Sequence, residues 1–472
     1  MGTDWERIPE SIPKGRPKMN PQVLNNHRLE VQNLGVWPDF GALLERLAER
    51  SGLVALDSAA GEPCDWSWIA FDPLLAAGEL PQTLLGLRAW LDALPPLSGP
   101  DVPGPFAGGF MGALNYDQGV SNDPLDLPRD PWDSPGVVGG YYTKFFVFDH
   151  RARCAYLVTD NSCDGQEREE LIGRAHAAAG GASSQGCFEA LGELQRIVSP
   201  REHCARIERT RELIAQGEIY QANLAHPFVV RTLGDPLQLY LRLRQNNPAP
   251  YMAYLRFDGG ALLSASPELL LEVEGKKMRT RPIKGTAARS ENPDEDARLA
   301  AGLLASEKDR AELAMIVDLA RNDLGRVALP GSVHVHDFPH LRSYEGVHHL
   351  MADVEATLDD DRDVLDALSS VFPGGSITGA PKLRAMEIIG EQERAGRGFF
   401  TGSLGFIDRR GNCAFNILIR TMQWRPSSEG SGQLRYHVGG GITWSSDAVD
   451  EDRETLIKGA KLAQTLGFNK TL

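Results

Sequence analysis

The stretch MAYLRFDGGALLSASPELLLEVEGKKMRTRPI, Met252 to Ile283, decides the fold class. Met252 to Phe257 and Ala261 to Ser266 are apolar runs on either side of Asp258-Gly259-Gly260. Glu268 to Glu274 and Lys277 to Ile283 flank Gly275-Lys276, a Gly-X pair suited to a type II′ turn. Short runs rich in apolar residues, bounded by Gly and Pro, read as strands. Two hairpins in succession therefore predict an antiparallel sheet.

Helix signals surround this core. Ser199 and Glu202 form an S-x-x-E capping box for a helix that stops near Gly217. Two more helices are expected over Pro293 to Ala305 and Asp309 to Ala320, the second capped by Ser306, and another begins near Asp447. Upstream, residues from about 28 to 170 read as short strands broken by Gly and Pro. Within them, Pro95 to Gly109 reads as a long loop and Gly139 to Thr159 as a strand pair turning near Asp149 to Arg153. The first 20 or so residues are polar and Pro-rich and are expected to be poorly ordered. Ala175 to Gly186 reads as a linker or a fraying helix end. The class is α+β with much antiparallel sheet.

Composition narrows the function. The chain has 472 residues with 49 Lys+Arg against 64 Asp+Glu, a formal charge of −15. This balance argues against non-specific nucleic-acid binding, which needs a basic footprint. No run of ~18 apolar residues predicts a membrane span, and the N-terminal residues carry no apolar signal region. Six scattered cysteines (Cys64, Cys154, Cys163, Cys187, Cys204, Cys413) contain no C-x-x-C, which fits a reducing cytoplasm rather than a disulfide framework.

Four constellations can carry chemistry. In the second hairpin a two-residue turn makes Glu268 face Ile283 and Lys284 face Pro267. Simple alternation then puts Glu268 and Lys284 on opposite faces unless a bulge re-aims one, and Pro282 favours such an irregularity. A lysine beside a carboxyl is a nucleophile when its pKa is depressed; the plainer alternative is a surface ion pair. Asp309 with Glu312, and Glu451 with Glu454 and Lys458, share helix faces. They read either as solvated faces or as two carboxylate-bearing helices that hold Mg²⁺ with substrate oxygens. Phe372 to Lys382 runs from a Gly-rich turn into a helix starting at Pro381, and Gly439-Gly440-Gly441 lies between strands; backbone N–H groups at either suit an anion. Ala380-Pro381 stands where a Walker A loop needs Lys-Ser/Thr. Finally, His334, His336, His340, His348 and His349 crowd into one segment, as zinc ligands or as strand histidines of which one does acid/base work.

Taken in order, IYQANL, SASPELLL, RPIKGT, KDRAELAMIVDLARNDLGRV, VHHL, FPGGSITGAPKLRAMEII, GSLGF, IRT and GGGI resemble the chorismate-utilising enzymes. The likeness is strong from Ser199 to Gly467. It is looser upstream, through Leu56-Asp57-Ser58, Gly108-Gly109 and Tyr116-Asp117-Gln118-Gly119. It implies an anthranilate synthase component I-like fold of two large packed antiparallel sheets with outer helices. It also implies an N-terminal part over 20–175 and a chorismate-binding catalytic part over 198–468.

Two positions separate the family's reactions. Anthranilate-forming members carry Ala where Lys284 stands. Isochorismate- and salicylate-forming members place a water-activating Lys where Gln221 stands, and Gln is no general base at neutral pH. Gln221 with Lys284 points to the branch that makes 4-amino-4-deoxychorismate, on the route to p-aminobenzoate and folate. The anthranilate-forming branch is the alternative within the family, and a regulatory subunit with a dead site the alternative outside catalysis.

The resemblance assigns roles. Glu312 and Glu454 would ligate Mg²⁺, with Asp309 and Glu451 beside them. Arg420, Lys458, Gly285, Thr286, Gly439, Gly440 and Gly441, together with Gln221, would bind chorismate. Glu268 would protonate the departing C4 hydroxyl and His349 would be the acid/base histidine. Lys284 would attack C2, its amine kept neutral by burial and by Arg281, and ammonia would then enter at C4 and expel it. Phe400 replaces a tyrosine common in the anthranilate-forming branch. Ammonia would come from a separate glutamine amidotransferase subunit, because no cysteine here lies in a G-x-C-x-G elbow. Ser58 and Pro250-Tyr251-Met252 match the family's tryptophan pocket.

Overall fold

The computed structural model describes residues 27–59, 65–75, 80–94, 97–119, 125–181, 186–344, 347–428 and 430–468. The polar N-terminal stretch, Cys64 and residues 182–185 of the expected linker lie outside them. Two sheets organise the chain. The thirteen-stranded sheet has at its centre Gln221–Gly234, Ser431–Ile442, Thr421–Ser428, Gly260–Ser266, Tyr251–Phe257 and Val54–Asp57, in that order. The nine-stranded sheet runs from Ile283–Ala288 through Val347–Thr357, Lys277–Arg281, Leu269–Glu274, Cys413–Asn416, Ser403–Asp408 and Gly109–Leu114 to Val137–Tyr142. Both sheets take strands from before and after residue 180, so the two halves of the chain share one hydrogen-bonded framework.

The period-two pattern of Tyr251–Phe257 explains how the layers stack. Ala253 and Leu255 join Val54, Trp68 and Phe145 of the same sheet and Met111, Leu404 and Phe406 of the other, forming the core between the sheets. Met252 and Tyr254 point the opposite way, into a core with Leu43, Leu237, Tyr240 and Leu462 from the outer helices. Both faces of this strand are covered, so it reads as a nearly continuous apolar run. The nine-stranded sheet is backed in the same manner, Leu271, Val273 and Val354 packing with Leu313, Val317 and Leu368. Each such side chain contributes about 1.5–3 kcal/mol on burial.

Both expected hairpins form with two-residue connections, Phe257 pairing with Gly260 and Glu274 with Lys277. The capped helices are present as Pro200–Ala215, Pro293–Ala305, Glu307–Gly325 and Ala448–Thr465. Ser199 Oγ accepts from Glu202 N–H and Ser306 Oγ from Asp309 N–H. The strand pair Phe145–Asp149 and Cys154–Asp160 turns where expected.

Four details differ from the sequence reading. Helices Phe40–Arg46, Leu84–Asp92 and Gly165–Ala178 interrupt the short strands of the first half, each capped by an Asp or Thr side chain. The expected loop after Pro95 contains the short strand Leu97–Ser98, paired in parallel with His27–Asn33. Pro381 is the N-cap of Lys382–Glu393, not its first helical residue. The run Gly439 to Gly441 lies inside Ser431–Ile442 rather than between strands, with Gly440 opposite Leu224 and Gly441 opposite Asn223.

Candidate active site

The second hairpin breaks where its chemistry begins. Pairing of Leu269–Glu274 with Lys277–Arg281 follows the two-residue turn as far as Glu272 and Arg279, then slips by one so that Leu269 meets Arg281. After Pro282, which has no N–H to donate, the chain leaves this partner. On the other edge Val347–Thr357, already paired with Lys277–Arg281, stays paired through Ile283–Ala288, Lys284 lying opposite Leu350 in unbroken register. Lys284 is therefore not opposite Pro267. The bulge and the end of pairing with Leu269–Glu274 leave Glu268 and Lys284 close enough for each to influence the other's ionisation.

Glu268 is 4 % exposed. Burial pushes its carboxyl up to about 7, against the opposing pull of Ser376, Lys284, the Ile283 N–H and Arg420. A carboxylic acid at that value holds a proton near neutrality and releases it readily. Burial lowers the Lys284 ammonium; Lys458 acts in the same direction, and Glu312, Glu268 and Glu454 oppose it. The cation that assists is Lys458 and not Arg281, whose guanidinium is engaged by Asp353 at 2.6 Å and the Tyr251 hydroxyl at 3.1 Å. Among the described residues the Lys284 amine makes no hydrogen bond or ion pair.

Gly441 locates that amine. A Cβ there would stand 3.2 Å from Lys284 Nζ and 2.9 Å from Gln221 Nε2, so only glycine leaves both side chains over this strand. Gln221 is fully buried, and among the described residues neither its amide nitrogen nor its amide oxygen has a partner. A Cβ at Gly440 would meet Glu451 at 3.2 Å and Lys458 Nζ at 3.8 Å. Gly285 has φ +77, and its Cβ would stand 3.0 Å from carbons of Asp309. The lysine strand thus packs directly on the helix that carries Asp309 and Glu312.

Two helices turn carboxylates toward the same space. Burial raises the Glu312 carboxyl; Asp309 and Glu451 add to the effect, while Lys284 and Lys308 oppose it. Glu451 accepts from Ser446 Oγ at 2.7 Å. Partial burial opposes ionisation of Glu454, but Lys458 Nζ at 2.7 Å outweighs it and holds this carboxyl low. Lys458 is therefore paired here with Glu454 as well as lying near the Gly439 carbonyl at 3.4 Å.

Arg420 and His349 complete the site. Arg420 has φ +50, and its guanidinium makes no hydrogen bond or ion pair among the described residues. It influences the ionisation of both Glu268 and His349. His349 is 2 % exposed, Nδ1 lies 3.2 Å from Thr286 Oγ1, and Nε2 has no partner among the described residues. Burial, aided by Arg420, pushes His349 down to about 3, so the ring is neutral at ordinary pH. Phe400 stacks on His437 at 4.7 Å.

The other residues singled out in the sequence lie elsewhere. Met252 pairs with Asp57 beside Ser58, whose Oγ donates to the Trp66 carbonyl at 2.7 Å, so Ser58, Pro250, Tyr251 and Met252 share one region. The histidine-rich segment forms two paired strands with histidines facing acids, His336 to Glu355 at 3.3 Å and His348 to Asp296 at 2.9 Å. Among the described residues, the three metal-ligand types clustered within 4.8 Å of one another are His203, His226 and Asp452, none from that segment. Asp452 is already taken by Arg196 and by His203 Nδ1 at 2.8 Å. The sequence reading passed over Ser376, Asp323 and Lys382, although all three stand in the motifs it singled out. Lys382 Nζ donates to Asp323 Oδ2 at 2.7 Å and to the Val371 carbonyl at 3.1 Å.

Comparison with known proteins agrees with this architecture. Aminodeoxychorismate synthase component 1 of Escherichia coli is 37 % identical over 363 residues, 77 % of this chain and 78 % of that protein. Anthranilate synthase component 1 of Streptomyces coelicolor is 36 % identical over 443 residues, 89 % of this chain and 82 % of that protein. The crystal structure of anthranilate synthase component I from Streptococcus pneumoniae superposes with a TM-score of 0.71 at 27 % identity, covering 85 % of this chain and 93 % of that one. Residues 80–464 match the family described as chorismate binding enzyme, and the chain belongs to that family.

Proposed function

We propose that the chain is the chorismate-aminating component of an aminodeoxychorismate synthase. The observation that carries this reading is Lys284, whose amine has no hydrogen-bond partner among the described residues, set against the backbone of Gly441 and beside the Gln221 amide, which has none among them either. A depressed lysine is a nucleophile, and an amide in place of a basic side chain disfavours activation of water. The relatives called aminodeoxychorismate synthase component 1 add support. The anthranilate-forming alternative is supported by relatives of equal similarity, and Lys284 is the residue that argues against it.

In this reading Arg420 binds a chorismate carboxylate in a bidentate fork. Gln221, Gly285, Thr286, Lys458 and the Gly439 to Gly441 backbone supply further polar contacts. The neutral Lys284 amine adds to C2, the ring double bond shifts, and the C4 hydroxyl departs as water with the proton of Glu268. Ammonia adds at C4, the double bond returns, Lys284 is expelled, and Glu268 recovers its proton from the new amine. Neutral His349 provides a hydrogen bond at the same substrate, not a positive charge. Glu312 and Glu454, with Asp309 and Glu451 beside them, form an acidic cluster on two helices that fits Mg²⁺, a cation that takes one or two carboxylates plus substrate oxygens. When bound, the ion would neutralise negative charge on chorismate and on these acids.

Ammonia comes from a separate glutamine amidotransferase subunit; supporting this, the relatives are named as component 1, and no cysteine here sits in a glutaminase elbow. No helix among the described residues is long and apolar enough to cross a membrane, and we place the enzyme in the cytoplasm. The test is the product mass from chorismate, Mg²⁺ and ammonium, with and without a lyase. A product that becomes p-aminobenzoate only when lyase is added is expected, and a fluorescent aromatic product without lyase refutes the reading.

A further inference from the structure

A small cavity adjoins Glu268. The space open to the centre of a water-sized sphere is about 20 Å³, lined by Glu268, Thr280, Asp323 and Ser376, with apolar walls that include Ile316 and Ile417. A single water needs roughly 10–15 Å³ on this measure, together with two to four polar partners. The lining supplies them. Ser376 is 7 % exposed; its hydroxyl is near enough to the Glu268 carboxyl to pull it down, yet it meets no partner at hydrogen-bond distance among the described residues. Asp323 is 4 % exposed and is held by Lys382, which does not line the cavity. A buried hydroxyl left without a partner costs about 1–3 kcal/mol, and a dry cavity is expected only where the lining is apolar.

We propose that this cavity is a site for one water molecule, hydrogen-bonded to Ser376, Glu268 and Asp323, and that Ser376 and Asp323 thereby act as positioning residues for the Glu268 carboxyl. The inference rests on the reading of Glu268 as proton donor. The water fixes the rotamer of that carboxyl from the side of Asp323 and couples it to charges the substrate never touches. Ser376 directs an O–H toward the shared water and favours the carboxylate form of Glu268. Asp323 directs negative charge and favours the acid form, with Lys382 partly compensating from farther away. The other groups facing Glu268 are Lys284, Arg420 and the Ile283 N–H, and Arg326 also approaches Asp323, at 3.7 Å. All of these are unchanged in the variants below.

The test has two arms. A high-resolution crystal structure of the protein should show one water peak within hydrogen-bond distance of Ser376 Oγ and Asp323; an empty cavity overturns the proposal. In the second arm, Ser376→Ala and the charge-neutral pair Asp323→Asn with Lys382→Met are compared with the parent in the pH dependence of chorismate turnover. The alkaline midpoint, where the acid is lost, should rise by about half a unit or more in Ser376→Ala and fall by a similar amount in the double variant. Lower rates with unmoved midpoints indicate packing alone and overturn the proposal. Full activity of Glu268→Gln would instead remove the proton-donor reading, a failure distinguishable from an empty cavity. Should the double variant not fold, Ser376→Ala and the water peak decide.

Discussion

Replacing Glu268 with glutamine should make the protein more stable above neutral pH while removing its activity. The carboxyl sits at about 7 in the folded chain against about 4.3 for an unperturbed glutamate. Because the folded value is raised, the stability associated with the neutral acid is fully present below about pH 4.3. It is lost as pH climbs to about 7, where the folded protein must ionise a buried group. At about 1.4 kcal/mol per unit, the cost at pH 8 is on the order of 3 kcal/mol. Glutamine has nearly the same shape and nothing to ionise, so Glu268→Gln avoids that cost. With an unfolding entropy of about 2.1 cal/mol/K per residue, a chain of this length gains or loses about 1 °C per kcal/mol. The expected result is a Tm about 3 °C above the parent at pH 8 and a difference near zero at pH 4.5. The assay is paired thermal scans of the two proteins across that range. A Tm difference that does not grow with pH would refute the claim that burial holds Glu268 protonated.

Three further outcomes follow from the same geometry. Glu312→Gln and Glu454→Gln should each abolish turnover and leave the circular dichroism spectrum and Tm close to the parent, because both carboxylates face the site; full activity at limiting Mg²⁺ in either variant contradicts the metal assignment. Glutamine alone should not serve as nitrogen donor for the purified chain, whereas high ammonium at alkaline pH should, as read by product formation with each donor. Gly285→Ala should lower stability by about 1–2 kcal/mol, since an L-residue is strained at φ +77 and its Cβ would press on Asp309; denaturant midpoints that match the parent would contradict this.

How much of this was legible in the sequence depended on the range of the interaction. Gly275-Lys276 named its turn because a two-residue connection is a local matter, while the connection expected at Asp258-Gly259-Gly260 is one residue shorter because Gly260 pairs with Phe257; Ser199, Ser306 and Asp447 named their helix starts because a cap bonds within three residues. The slip at Leu269 and the release of Lys284 from the hairpin's first strand were not legible. Pro282 signals that a ladder must break, but not that the other edge stays paired with Val347–Thr357, some sixty residues on, through Lys284. The glycine run at Gly439 to Gly441 is expected between strands because glycine ordinarily interrupts one. Here it lies inside a strand paired with Gln221–Gly234, and at Gly441 the space a side chain would need is taken by Gln221 and Lys284. The acids of the two helices were visible as i, i+3 pairs, yet only the fold brings Glu312 and Glu454 near Lys284. Ser376 lay unread inside a motif quoted for its glycines, since an unpartnered hydroxyl is a property of its surroundings and not of the serine.

The central claim is that Lys284 forms the covalent link that directs nitrogen to C4. Its most direct test is the regiochemistry of the product that Lys284→Ala makes from chorismate, Mg²⁺ and ammonium. Removal of the side chain abolishes the covalent path and opens space at C2, so the account predicts loss of the C4-amino product and a shift toward amination at C2. An unchanged rate of C4-amination by the variant would contradict it and reduce Lys284 to an electrostatic role.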